Sequence, residues 1–197
     1  MERTSYPDPK KRLGQHFLYD KKVIRKIIDR ADLLEGENVL EIGPGRGHMT
    51  SMLAALEVNL TAVEIDTDLV TGPLAEVCAV RKFEIINKDA LELDPSTLFG
   101  GDEDYKLISN LPYNVGGRIL RKFLSGTCPP RLSVVMLQKE VAENITTASG
   151  KLGISGAFLG AFVEPSMLFT VKPSSFRPPS KVMSSVIRLS RLDIPLI

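Results

Sequence analysis

The residues best suited to chemistry sit in two short stretches. One is ISNLPYN, residues 108–114, where an apolar run ends in Asn110, Leu111, Pro112 and Tyr113. Pro112 disfavours the helical region for Leu111 and holds it extended, so the Leu111 carbonyl and the Asn110 side-chain oxygen can both face one cleft as acceptors beside the Tyr113 ring. Fixed acceptors next to a flat aromatic suit an exocyclic amine on a stacked, flipped-out base. The amine lone pair of adenine is delocalised into its ring. Donation of its N–H groups to fixed acceptors favours a pyramidal nitrogen with a localised pair, the geometry for in-line attack on a methyl-sulfonium. No strong base is needed before attack, since the proton becomes acidic only once the nitrogen is cationic. A strand-ending turn with a half-buried tyrosine accounts for the same residues without chemistry.

The second stretch is EIGPGRGHM, residues 41–49, with Gly43, Gly45 and Gly47 in G-x-G-x-G spacing after Glu41. Glycine lets a backbone approach a ligand closely and adopt φ angles closed to other residues. The dinucleotide fingerprint G-x-G-x-x-G fits poorly, because its third glycine falls on His48, and no Lys-Ser/Thr follows to make a P-loop. A tight strand-to-helix turn needs glycine in any case, so the turn alone is weak. Its partners are Glu64, placed to accept both hydroxyls of a ribose, and Asp89, placed to accept from an adenine amino group. Each acid taken singly reads as a loop charge or a helix cap. Together, at three successive strand ends, they describe a nucleoside pocket.

Alternating elements must bring these residues together. Asp20 can cap a helix whose Val23, Ile24, Ile27 and Ile28 share a face, and NVLEI (38–42) follows as a buried strand. A helix over 47–56, a strand ending at Ile65 and a helical stretch over 66–78, broken by Gly72 and Pro73, continue the pattern. KFEIIN and YKLISN read as the third and fourth strands. A helix over 118–124, the strand LSVVMLQ and a helix through Ala142 complete the repeat. Nearly continuous apolar strands separated by helices mean a parallel sheet covered on both faces. A helical segment over 153–162 leads to SMLFTV and VMSSVIRLS, an antiparallel pair joined by the rigid loop KPSSFRPPSK. The expected fold is α/β: a Rossmann-like, seven-stranded, mostly parallel sheet with an antiparallel last strand and helices on both faces.

Composition narrows the class. The 197 residues hold 25 Lys and Arg against 24 Asp and Glu, a net charge of +1, so no global field demands a polyanion or a membrane. Positive charge does concentrate in the first 30 residues, at Lys10, Lys11 and Arg12 and again at Lys21, Lys22, Arg25 and Lys26; a solvated arm and helix face explain this on charge alone. Cys78 and Cys128 lie far apart without CxxC or histidine partners, which predicts reduced cysteines in a cytoplasmic protein and no zinc or other metal site. The N-terminus lacks an apolar core for a secretory signal, and the longest apolar run, 152–163, is too short and glycine-broken to span a bilayer.

Seven ordered motifs, KKRLGQHFLYD, EIGPGRG, VEID, NKDAL, SNLPYN, MLQKEVAE and PSSFRPPSKV, resemble the ribosomal RNA adenine N6-dimethyltransferases over about residues 10–189. NLPYN, LQKEVAE and FRPP look more like the small-subunit, kasugamycin-resistance type than the large-subunit, erythromycin-resistance type. The resemblance implies S-adenosylmethionine as donor and two adjacent adenosines of small-subunit rRNA, or of the assembling subunit, as acceptors, each methylated twice by a monomer. It also implies that Gln15, His16 and Leu18 close over the methionine end of the cofactor. Gly43 and Gly45 then form the cofactor turn, Glu64 with Ile65 the ribose site, Asp89 with Ala90 the adenine clamp, and Asn110 through Tyr113 the catalytic segment. Phe176 corresponds to a second aromatic, sandwiching the target base opposite Tyr113. Lys10, Lys11, Arg12 and Arg177 correspond to RNA-phosphate ligands.

The sequence also departs from the family. Members continue past the last strand into a helical, RNA-seating domain, which is expected to be absent here, leaving residues 1–197 as one catalytic domain whose first 19 residues form a basic arm. Gly116 and Gly117 stand where the family carries a helix-capping Ser or Thr, which predicts a looser loop. Ser180 and Met183 replace a Pro and an Asp. The near-neutral charge suits an assembling particle better than naked RNA. The competing readings are a cofactor-binding assembly factor without activity, a large-subunit rRNA enzyme, and a nicotinamide-dependent dehydrogenase, the last disfavoured by the missing third glycine.

Overall fold

A computed structural model describes residues 9–10, 15–99, 104–146 and 153–195. The chain enters through a two-residue strand, β1 (Phe17–Leu18), and the helix α1 (Lys21–Asp29). The Asp20 carboxylate accepts from the Lys22 and Val23 amides at the start of α1, a cap stabilising by about 1 kcal/mol. Ile24, Ile27 and Ile28 bury the face that their spacing predicts.

Strand and helix then alternate through β2 (Asn38–Ile42), α2 (His48–Leu53), β3 (Asn59–Glu64), α3 (Thr67–Leu69) and α4 (Ala75–Val80). Between α3 and α4 a wide turn over Val70–Leu74 carries Gly72 at φ −104°, ψ −105° and Pro73, so the expected break is present. Next come β4 (Glu84–Asn87), β5 (Tyr105–Asn110), α5 (Gly116–Leu124), β6 (Leu132–Gln138), α6 (Lys139–Thr146) and α7 (Ile154–Leu159). The chain closes with β7 (Val163–Val171), β8 (Phe176–Arg177) and β9 (Ser184–Arg191).

The main sheet has seven strands in the order β4-β3-β2-β5-β6-β9-β7. All are parallel except β9, which is antiparallel to both β6 and β7. The expected fold is thus present, with the last strand inserted between its two predecessors. Helices cover both faces. One apolar cluster gathers Leu107, Leu120, Phe123 and Ile187, and the other gathers Ile24, Ile27, Val134 and Met136. Reversal of strand order between β2 and β5 leaves a crevice at the carboxyl ends, where the loops after β2, β3, β4 and β5 meet.

At the opposite, amino-terminal end, charges close on one another. The buried Lys106 Nζ donates to the Asp32 carbonyl and to Glu37 Oε2, both at 2.7 Å. Arg131 pairs with the same Glu37, Arg191 with Asp104, and Arg188 with Asp32.

Sequence reasoning did not foresee the small ribbon of β1 and β8, antiparallel with Phe17 opposite Arg177 and Leu18 opposite Phe176. Two residues per strand carry no readable periodicity. The ribbon lays the N-terminal segment beside the loop before β9. Among the described residues, no helix is long and apolar enough to cross a membrane.

Candidate functional site

A single cleft at the carboxyl ends of the strands is lined by Gln15, His16, Leu18, Gly43, Gly45, Glu64, Ile65, Asp89, Ala90 and Asn110, and also by Leu111, Pro112 and Tyr113. Residues read from separate motifs therefore share one wall.

The glycine turn is tight because the backbone is left-handed there: φ is +69° at Gly43, +60° at Gly45 and +75° at Gly47. A Cβ on Gly45 would lie 2.8 Å from Phe17 Cδ1, so the turn also admits the N-terminal segment. The Glu64 carboxylate organises it, with Oε2 accepting from the Gly45 amide (3.1 Å) and Oε1 from the Asp66 amide (3.0 Å). Burial pushes the Glu64 carboxyl up despite these bonds. Asp89 folds its own loop, accepting from the Leu91 amide at 2.8 Å.

Three residues gain importance only from the structure. Glu41, one strand over from Glu64, is 1% exposed, its Oε2 has no hydrogen-bond partner, and burial pushes its carboxyl up to about 8. Its place before the glycine turn was visible in the sequence, but its burial, with the Thr50 hydroxyl and the like-charged Glu64 nearby, was not. Asp66 receives the Lys10 ammonium (2.5 Å) and the Gln15 side-chain amide (2.8 Å). Although burial works the other way, these partners hold the Asp66 carboxyl below its ordinary range. Ser184, fully buried at the start of β9, sits 2.5 Å from the Tyr113 hydroxyl.

At the end of β5, Asn110 Oδ1 is buried without a partner, while Nδ2 donates to the His16 carbonyl at 3.4 Å. Leu111 is 1% exposed and donates its amide to the Met136 carbonyl. The Tyr113 ring lies half-buried, with the His16 ring stacked 5.6 Å away at 30°.

Some expected positions differ. Phe176 does not face Tyr113 as a parallel wall: its ring is 1% exposed, packs into the core, and meets Tyr113 edge-on at 6.4 Å and 66°. The apolar ring is held by core contacts that spacing in sequence cannot reveal. Lys10 is not presented for phosphate, because its ammonium is bound by Asp66 and by Asp68 at 2.6 Å. Lys11 and Arg12 lie outside the described residues. Arg177 is exposed, with its guanidinium 4.4 Å over the Tyr19 ring. Gly116 is packed rather than loose: it opens α5, and a Cβ there would meet Leu137 Cδ2 at 2.8 Å. The lost cap is real, for α5 begins without a side-chain hydrogen bond.

The family model described as "Ribosomal RNA adenine dimethylase" matches residues 8–196. A "Ribosomal RNA small subunit methyltransferase A" from Dehalococcoides mccartyi is 38% identical over 181 residues, covering 92% of this chain and 62% of that protein. The chain thus spans less than two thirds of that relative's length. Another of the same name, from Xanthomonas euvesicatoria pv. vesicatoria, is 40% identical over 194 residues, 96% of this chain and 73% of that one. Among solved structures, a 23S rRNA methyltransferase, ErmE, superposes with a TM-score of 0.81 at 28% identity, over 92% of this chain and 72% of the other. A dimethyladenosine transferase from Plasmodium falciparum gives 0.78 at 26% identity, over 90% and 64%.

Proposed function

The chain belongs to the ribosomal RNA adenine dimethylase family, and from that premise we propose that it dimethylates the N6 amines of adenosines in small-subunit rRNA, with S-adenosylmethionine as donor. One observation carries the reading: Asn110 lines the single cleft and its Oδ1 is buried without a partner, beside the half-buried Tyr113 ring. Buried acceptors are normally satisfied, and one left open in a cleft is matched to a donor from outside the protein.

The residues suit the cofactor. Glu41 Oε2 is a second unpartnered polar atom on the same wall, the left-handed glycines let backbone amides approach, and Glu64 sits at the end of β3, where a ribose meets the crevice. Glu64 would accept from the ribose hydroxyls and Asp89 from the adenine amine, with Ile65 and Ala90 as apolar walls. Gln15, His16 and Leu18 would exclude water from the remaining side. When bound, S-adenosylmethionine supplies a methyl group on a positively charged sulfur.

The chain's own contribution to transfer is placement and polarity. Asn110 Oδ1 and the Leu111 carbonyl accept the two amine N–H bonds, turning the nitrogen lone pair out of conjugation. Tyr113 stacks on the base. Its hydroxyl is occupied by Ser184, so the ring face rather than the oxygen meets the substrate. No group here needs to be a base before attack, and an amide such as Asn110 could not be one. Phe176 backs Tyr113; sandwiching a base between the two rings would require Phe176 to turn out of the core.

The small-subunit assignment rests on the names of the 38–40% identical relatives, and the structural likeness to a 23S rRNA methyltransferase supports a second reading with large-subunit rRNA as substrate. The protein acts as a monomer in the cytoplasm, where subunits assemble. Labelled methyl transfer to undermethylated small subunits, compared with naked 23S rRNA, separates the readings. Label on small-subunit adenosines is expected. Cofactor binding with neither RNA labelled would leave a non-enzymatic assembly role.

A further inference from the structure

The helix α1 carries a charge pattern that folding does not favour. Lys21, Lys22, Arg25 and Lys26 are all exposed, and positions 21/25 and 22/26 are like-charge pairs one turn apart, which destabilise a helix. Lys21 and Lys22 stand in the first turn, at the positive end of the helix dipole, with no acidic residue in that turn. Among the described residues, none of the four forms an ion pair, although Asp29 lies one turn away; Lys26 instead covers the Phe169 ring at 4.0 Å. Elsewhere Lys10, Lys106, Arg131, Arg188 and Arg191 all hold carboxylate partners. Other exposed cations among the described residues, such as Arg81, Lys82, Lys88 and Arg118, also lack an ion pair, but only α1 crowds Lys21, Lys22, Arg25 and Lys26 onto one helix face.

That face adjoins the mouth of the cleft. His16, stacked on Tyr113, is five residues before Lys21, which bounds their separation at roughly 18 Å. The intervening chain is pinned: the Tyr19 amide donates to the Ser175 carbonyl, Ser175 Oγ donates to the Asp20 carboxylate, and Arg177 lies over the Tyr19 ring. Burial, then the charges of Arg46 and Lys21, lower the pKa of His48, which lines the cleft, so Lys21 lies within electrostatic reach of a cleft residue. From the mouth the helix extends the row by about 1.5 Å per residue.

We propose that the exposed face of α1, with Arg177 at its cleft end, is the track for the phosphate backbone of the RNA strand whose adenosine enters the cleft. This inference rests on the RNA-methylating function proposed above and assigns the electrostatic contacts to α1 rather than to Lys10. Phosphate contacts of this kind set register and carry the salt dependence of binding, not sequence choice.

The test compares the parent with a Lys21→Gln/Lys22→Gln/Arg25→Gln variant and with an Arg81→Gln/Lys82→Gln control at the amino end of β4. Binding to an RNA hairpin with two adjacent adenosines is titrated against salt. Each lost phosphate contact should lower the slope of log affinity against log salt by about 0.7–0.9. The α1 variant should therefore lose about 2 in slope, with unchanged S-adenosylmethionine affinity and an equal or higher melting temperature. The control should match the parent. An α1 variant that keeps the parent slope while the parent still methylates RNA overturns the track and leaves the function standing. A parent that methylates no RNA removes the function itself. Binding of the α1 face to phosphatidylglycerol vesicles, with the RNA slope unmoved, would likewise overturn the proposal.

Discussion

The two ends of the central sheet handle buried polarity in opposite ways. At the amino end, Lys106 is buried but fully engaged by Glu37 and the Asp32 carbonyl, and Arg131, Arg188 and Arg191 complete a closed set of pairs. At the carboxyl end, Glu41 Oε2 and Asn110 Oδ1 are equally buried and have no partner. The amino end pairs its charged groups with one another, although the Ser133 hydroxyl beside them is unpartnered; the carboxyl end leaves unpartnered polar atoms on residues that line the cleft. Both cost desolvation, but only at the carboxyl end does the spare polar capacity belong to cleft residues. The contrast teaches where function resides without reference to any motif.

The strongest way to break it is at the carboxyl end. Asn110→Ala removes the unpartnered acceptor, and by analogy with loss of one preorganised polar contact in a transition state, turnover should fall about 10²–10³-fold. Cofactor affinity measured by calorimetry should change little, and near-parental turnover would show that Asn110 does not polarise the amine.

At the closed end, Lys106→Ala leaves the Glu37 carboxylate short of a partner and should cost about 2–3 kcal/mol in denaturant unfolding. Methyl transfer per folded molecule should be unchanged, so a loss of specific activity would blur the distinction between the two ends.

The pH dependence of stability sharpens the comparison. Burial raises the Glu41 carboxyl to about 8, above its ordinary 4.5, so the folded state holds this proton while the unfolded chain releases it between those values. The stabilisation by Glu41 is therefore complete below about pH 4.5 and is lost as pH rises toward 8. Glu41→Gln should flatten the decline of melting temperature between pH 5 and 8. A parent melting temperature that already stays level across that range would mean Glu41 is ionised in the fold.

The smallest effect is expected at Ser184. Ser184→Ala frees the Tyr113 hydroxyl and, with one hydrogen bond contributing about 1 kcal/mol, should lower turnover about fivefold. Combined with Tyr113→Phe it should cost little more than either change alone. Additive losses in that double-mutant cycle would show that the two hydroxyls act independently.

Much of this was readable from local pattern. Strand and helix periods placed β2 through β6 in order, and the glycine spacing, Glu64, Asp89 and NLPY marked the strand ends that meet in the cleft. The break at Gly72 and Pro73 was equally visible, because proline cannot continue a helix. Relations between distant segments were not readable. The ribbon of Phe17–Leu18 with Phe176–Arg177 joins residues about 160 positions apart and has too few residues to show a period. Gly116 resembled a flexible defect, yet it is a close-packing position against Leu137. Phe176 resembled an aromatic wall, yet it is core.

The sequence by itself determined which residue types occur at the strand ends and the α/β alternation that delivers them, because periodicity and backbone permissiveness are local properties. The tertiary structure alone decided which polar groups are satisfied. Lys10 acquired Asp66 and Asp68, Lys106 acquired Glu37, and Asn110 Oδ1 and Glu41 Oε2 acquired none. Satisfaction depends on burial and on partners from remote segments, and neither exists until the chain has folded.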